Sequence, residues 1–146
     1  MSQTRVVPNV TEVAPRLRLA ITRLARRLRQ QIEGVSPSQI SALHTIEKLQ
    51  PVTFGELAAA EKVQPPTITR IVAVLEDNGY VKRHIDPQDR RIARIALTAE
   101  GKKLVEAGRT RRNQFLAGRM KGFTPEELET VERAIPLIER MIEGDK

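Results

Sequence analysis

The apolar positions Val10, Val13, Leu17, Ile21, Leu24, Leu28 and Ile32 recur at steps of three or four, the spacing that gathers one stripe on a helix. Arg16, Arg18, Arg23, Arg26, Arg27 and Arg29 fall on its other faces. Pro15 lacks an amide hydrogen, so this helix is expected to start near it, after an arm or a kinked first turn. Gly34 is expected to end it. "SPSQ" at 36–39 carries a capping serine, a proline at the first helical position and a glutamine three residues after the cap. Ile40, Leu43 and Ile46 then supply an apolar face, and Pro51 closes this second helix. "TFGE" at 53–56 is a second capping box and opens a short helix whose Leu57, Ala58 and Ala59 allow close packing. Pro65 and Pro66 fit only a first helical turn, and Ile68, Ile71, Val72 and Leu75 give the next helix its face. Gly79 in "EDNGY" is its C-terminal cap.

The period then changes. "YVKRHI" and "IARIAL" read as two strands joined by "DPQDRR" at 86–91, a tight turn with two arginines at its tip. Two strands alone are marginal in water, so this hairpin must lean on the helices. Thr98 opens a long helix through Leu104, Val105, Gly108, Phe115, Leu116 and Met120. "TPEE" at 124–127 caps a last helix, its two glutamates favourable to the helix dipole. Leu128, Val131, Ile135, Ile138 and Ile142 form its stripe, and Pro136 is expected to bend or split it.

Two short helices with a tight connection match a helix-turn-helix, although many helical hairpins share that spacing. The hairpin directly after them reads as a wing. The fold class is therefore mainly α with a small β-hairpin wing: a winged helix-turn-helix flanked by N- and C-terminal helices.

Composition narrows the function. Aromatic residues are 3% of the chain, without tryptophan, so the core is aliphatic. The absence of cysteine excludes thiol redox sensing and cysteine-ligated zinc. No signal-peptide run and no apolar stretch near the ~18 residues of a membrane span lead to the expectation of a soluble, cytoplasmic protein. The net charge is +7, unevenly placed: residues 1–122 hold 22 bases and 11 acids, residues 123–146 three bases and seven acids. A basic body with an acidic end points to a polyanion partner, nucleic acid above all.

With "PPTITRIVAVLEDNGYVKRHIDPQDRRIARIALTAEGKKL" in place, the chain resembles the multiple antibiotic resistance regulator (MarR) family of bacterial winged-helix transcription regulators, which act as homodimers. The likeness covers nearly the whole chain in element order and is sharpest over residues 53–104. It implies residues 1–34 and 99–146 as a helical dimerisation region and 35–98 as the DNA-binding lobe. It also implies that helix 65–77 enters the major groove, that Arg91 reaches the minor groove, and that Asp89 holds its guanidinium. The family often has Ser or Thr before the first proline; Gln64 and Pro66 here remove hydroxyl donors to phosphate. Independently, helix-turn-helix proteins read base edges with the first turns of this helix, which here carry Gln64, Pro65, Pro66, Thr67, Thr69 and Arg70. Arginine favours narrow minor grooves. Lys82, Arg83, Arg90 and Arg94 are placed to serve phosphates. The alternative for this hairpin is a solvated edge whose charges discourage pairing.

No enzyme is indicated. His44 and His84 are the only histidines, neither lies near a serine that suggests a triad, and "AEGKKL" lacks the glycine and hydroxyl of a phosphate loop. No metal or cofactor is expected. The expected function is a DNA-binding regulator, a repressor in the family's manner, acting as a homodimer on a pseudo-palindromic operator. A basic architectural protein without a ligand switch is the rival, and a winged helix used only for protein contacts is a third reading. The family's responses imply a small aromatic acid such as salicylate as effector. Arg16 or Arg18 would pair its carboxylate and His44 its phenol; the alternatives are solvated arginines and a histidine with a local partner.

Overall fold

The computed structural model describes residues 6–31 and 34–144. Its elements are α1 (Val10–Arg29), α2 (Pro37–Leu49), β1 (Val52–Thr53), α3 (Phe54–Glu61), α4 (Pro65–Asp77), β2 (Val81–Ile85), β3 (Ala93–Leu97), α5 (Ala99–Met120) and α6 (Pro125–Glu143). Ser36 and Thr53 each close a reciprocal capping box, as expected, and Thr124 caps α6 with a third such box to Glu127. The chain forms two compact units, one reaching to Arg112 and the other beginning at Asn113.

The core of the first unit is aliphatic. Leu43 and Ile46 of α2, Leu57 of α3, and Ile68, Val72 and Leu75 of α4 bury their side chains against Val52, Val81, Ile95 and Leu97 of the strands. Val105 of α5 joins them. The wing is part of a three-stranded antiparallel sheet of order β1-β3-β2. Its third strand was not expected, because two residues are too few to display an alternation. Val52 pairs with Ile95 and Thr53 with Arg94. These pairs attach the hairpin to the start of α3.

The exit from α4 is fixed by Gly79 at φ 78. The Tyr80 amide donates to the Leu75 carbonyl and the Gly79 amide to that of Glu76, the paired bonds of a left-handed glycine cap. Thr98 then donates its amide to the Tyr80 carbonyl and accepts from the Gly101 amide. A Cβ at Gly101 would collide with that same Tyr80 carbonyl, so only glycine lets α5 start this close to the lobe.

Three boundaries differ from expectation. Helix α1 begins at Val10, well before Pro15, because Asn9 caps it by accepting from the Thr11 amide. The hydrogen bond that Pro15 cannot donate would go to the Thr11 carbonyl, and both residues are exposed, so water can take that place. The helix also ends at Arg29, capped by Gln30, before Gly34; Ile32, the last residue of the proposed stripe, lies outside the described residues. Pro136 does not split α6, which is one helix from Pro125 to Glu143. Neither α1 nor α6 contains a buried residue.

Candidate nucleic-acid interface

The two prolines set the first turn of α4. Gln64 is its N-cap and makes no side-chain cap bond; Pro65 and Pro66 carry no amide hydrogen, and the Thr67 and Ile68 amides donate to the Gln64 carbonyl. Gln64, Pro65, Pro66, Thr69 and Arg70 are exposed and Thr67 is half-buried. The Thr69 hydroxyl donates to the Pro65 carbonyl, and Ile68 and Val72 fill the opposite face.

The wing tip is held by its aspartates. Asp86 Oδ1 accepts from the amides of Gln88 and Asp89 at 2.8 and 3.2 Å, and these backbone bonds, ahead of Arg94, hold its carboxyl below the usual carboxylate range. Asp89 Oδ1 accepts from both the amide and Nε of Arg91, at 3.1 and 3.0 Å, and Oδ2 accepts from Nη2 at 3.2 Å. This fork lowers the Asp89 pKa, the Arg91 side chain being the larger cause. It ties down a guanidinium whose side chain is 91% exposed. The Asp89–Arg91 pairing implied by the family pattern is thus present in the geometry.

The other basic residues divide. Lys82 and Arg90 are exposed. Arg94 lies 3.6 Å from Asp86, and Arg83 is bound to Glu76 and stacked on Phe54. Sequence reasoning missed Glu76 and Phe54. The strand alternation held the signal, since Val81, Arg83 and Ile85 fall on one face. An open cleft of ≈ 560 Å³ lies between α3, α4 and the wing, lined among others by Phe54, Thr69, Arg83 and Arg91.

His44 stands apart from this surface. Its Nε2 accepts from Arg112 Nη2 at 3.4 Å, beside a cavity lined by Ile40, Leu43, Leu104, Val105 and Gly108. Burial lowers its pKa, Arg112 and Arg109 adding to the effect and Glu47 opposing it. The cavity volume is only ≈ 10 Å³, about the room one water needs. Arg16 and Arg18 are exposed on α1 and do not line it. Among the described residues, no group of three or more potential metal ligands is found, and no helix is long and apolar enough to cross a membrane.

A family profile described as the MarR family matches residues 35–93, from the start of α2 into β3. An uncharacterised HTH-type transcriptional regulator of Mycobacterium leprae is 37% identical over 133 residues, 90% of this chain and 93% of that one. The chain belongs to the MarR family. Solved structures agree with that membership. A MarR family protein from Bacillus stearothermophilus superposes with a TM-score of 0.78 at 26% identity, covering 94% of this chain and 100% of the other. A mutant of Staphylococcus aureus MepR bound to an oligodeoxyribonucleotide shares the fold, with a TM-score of 0.72 at 22% identity over 89% of this chain and 97% of its own. This protein is a DNA-binding transcriptional regulator of the MarR family, with its winged-helix fold.

Proposed function

We propose that the protein is a cytoplasmic repressor, without catalytic activity, that binds a pseudo-palindromic operator as a homodimer. The observation that carries the reading is the Asp89–Arg91 fork, which holds an exposed guanidinium at the wing tip. Inserted in a minor groove, Arg91 would favour narrow A·T-rich steps. The first turns of α4, from Gln64 to Arg70, would read base edges in the adjacent major groove. Lys82 and Arg90 would contact phosphates, with Arg94 beside them. That the MepR neighbour was solved bound to an oligodeoxyribonucleotide supports DNA as the partner of this fold.

Residues 35–98 would form the DNA-binding lobe, and 1–34 with 99–146 the dimerisation region. Support comes from the apolar side chains left open in one chain: Leu24 is 45% exposed, Ile135 49% and Ile142 78%. A second copy would cover these stripes and set two recognition helices about 34 Å apart, one turn of DNA. Sedimentation as a monomer at micromolar concentration would remove the homodimer.

Release by a small aromatic acid such as salicylate completes the proposal. His44 would meet its phenol and Arg16 or Arg18 its carboxylate. The ≈ 10 Å³ beside His44 means that such a ligand must part α2 from α5, and it must favour that parted state to shift the equilibrium. A titration of salicylate into the protein–operator complex tests this; no release at millimolar ligand removes this class of trigger.

Footprinting the protein on the DNA upstream of its own gene tests the regulator reading. The expected result is one protected pseudo-palindrome. Equal protection of most duplexes would instead favour an architectural protein, and the absence of salt-dependent DNA binding a protein-contact module.

A further inference from the structure

Arg83 sits on the inner face of the wing. It pairs across the ladder with Ile95, and Ile95 is fully buried. Residues directly opposite one another on an antiparallel pair share a face, so Arg83 points the way Ile95 does, toward the helices. Lys82 and His84 take the other face. A cation on the inner face needs a partner, and Arg83 has two. Its Nε donates to Glu76 Oε2 at 3.0 Å and its Nη2 to Glu76 Oε1 at 3.2 Å, a two-pronged pairing that fixes the guanidinium plane. The same group lies 5.1 Å from the centroid of the Phe54 ring.

These contacts join three elements: β2 through Arg83, the last turn of α4 through Glu76, and the first residue of α3 through Phe54. The α4–β2 connection is otherwise residues 78–80, whose geometry Gly79 sets. Arg83 adds a second attachment about 10 Å further along the strand, at roughly 3.3 Å per residue. Beyond it the hairpin runs out to the turn at 86–91, which carries Arg91. On the far strand, β1 pairs only with Arg94 and Ile95.

We propose that Arg83 is a positioning residue: with Glu76 and Phe54 it braces the wing against the recognition helix and so sets where Arg91 meets DNA. It is not primarily a phosphate contact. The side chains of the pair are 43% and 36% exposed, so the pairing contributes little to global stability. What it supplies is a fixed orientation between two elements that must enter adjacent grooves together. Arginine suits this role better than lysine, whose ammonium is a point charge without the planar fork.

The inference rests on the operator-binding reading, and its test separates the two. Glu76→Gln keeps the side-chain shape but removes an anion from a surface that faces polyanionic DNA. Electrostatics alone would then leave binding unchanged or tighten it. A brace gives the opposite sign. The measurement is the affinity of the full-length protein for its footprinted operator and for a scrambled duplex, over a series of salt concentrations. Glu76→Gln is expected to weaken operator binding by about tenfold, the size of one well-placed base contact. The scrambled duplex should bind as before and the operator salt slope should hold. Arg83→Lys should resemble Glu76→Gln, and the pair combined should be no worse than the worse single, because both break one interaction. The proposal is overturned if Glu76→Gln binds operator as tightly as the parent. It is equally overturned if Arg83→Lys leaves operator affinity unchanged. A parent protein that does not distinguish the two duplexes would overturn the operator reading itself, and the brace with it.

Discussion

Leu57 and Ile135 are both apolar residues on helical stripes, and they end in different surroundings. Leu57 is completely buried, with α2, α4 and the sheet closing over it, whereas Ile135 on α6 is 49% exposed. The contrast extends to their regions. Among the described residues, 42–97 supply all the buried hydrophobic residues except Val105; α1 and α6 supply none. The periodicity of the two regions is equally clear in the sequence. The difference is that several short elements converge in the lobe, so their stripes bury one another, whereas the stripes of α1 and α6 stay exposed within one chain. A stripe therefore reveals that a face must be buried without revealing what buries it.

The largest effect expected from this contrast is on stability. Leu57→Ala should lower the unfolding free energy by about 2–5 kcal/mol, the cost of a large-to-small change in a packed core. Ile135→Ala should leave the unfolding of the lobe nearly unchanged and instead weaken self-association. Denaturant unfolding and sedimentation, both at fixed protein concentration, separate the two. Equal losses of unfolding free energy from both substitutions would erase the distinction between the regions.

A somewhat smaller effect is expected where the lobe meets α5. Gly101→Ala forces a carbon onto the Tyr80 carbonyl, and overpacking of this kind costs about 1–3 kcal/mol. Gly118→Ala, on the same helix but with open space around it, should be neutral or slightly stabilising by helix propensity. Thermal unfolding of the two variants side by side checks this.

The smallest effect is the pH response of the α2–α5 contact. Arginine can only donate, so the Arg112–His44 bond requires a neutral imidazole with a free Nε2. The folded-state pKa of His44 lies below its ordinary value, so the unfolded chain binds this proton first as pH falls. Stability from this group is therefore fully present above pH ~6.5 and decreases as pH drops below it. His44→Gln should flatten that part of the stability–pH curve. Asp86 and Asp89, with carboxyl pKa values held below the ordinary range, keep the wing tip ionised throughout it.

The sequence made the lobe legible because local signals agreed: capping boxes at Ser36 and Thr53, prolines at the start of α4, and Gly79 at its end. The wing turn was legible through Asp86 and Asp89, whose short side chains suit a turn. Strand β1 was not, because Val52 and Thr53 are too short a run to alternate. The start of α1 was not legible, because Pro15 marks a helix start in sequence while the cap is Asn9, among the residues expected to form an arm. Charge alone places Arg83 with the phosphate-binding cations and does not show its contacts with Glu76 and Phe54. The ladder register, which sets it opposite Ile95, is tertiary information that reading the strands one at a time does not supply.

On the proposed operator, the exposed, pre-oriented Arg91 on the wing would give binding its strength. The most direct measurement compares Arg91→Ala with Lys82→Ala on the operator and on a scrambled duplex across a salt series. Arg91→Ala should lose roughly tenfold to a hundredfold in operator affinity, the range for one specific arginine contact, with its unfolding midpoint unchanged. Lys82→Ala should weaken both duplexes alike and reduce the salt slope by about one. Normal operator binding by Arg91→Ala at physiological salt would rule out this role for the wing.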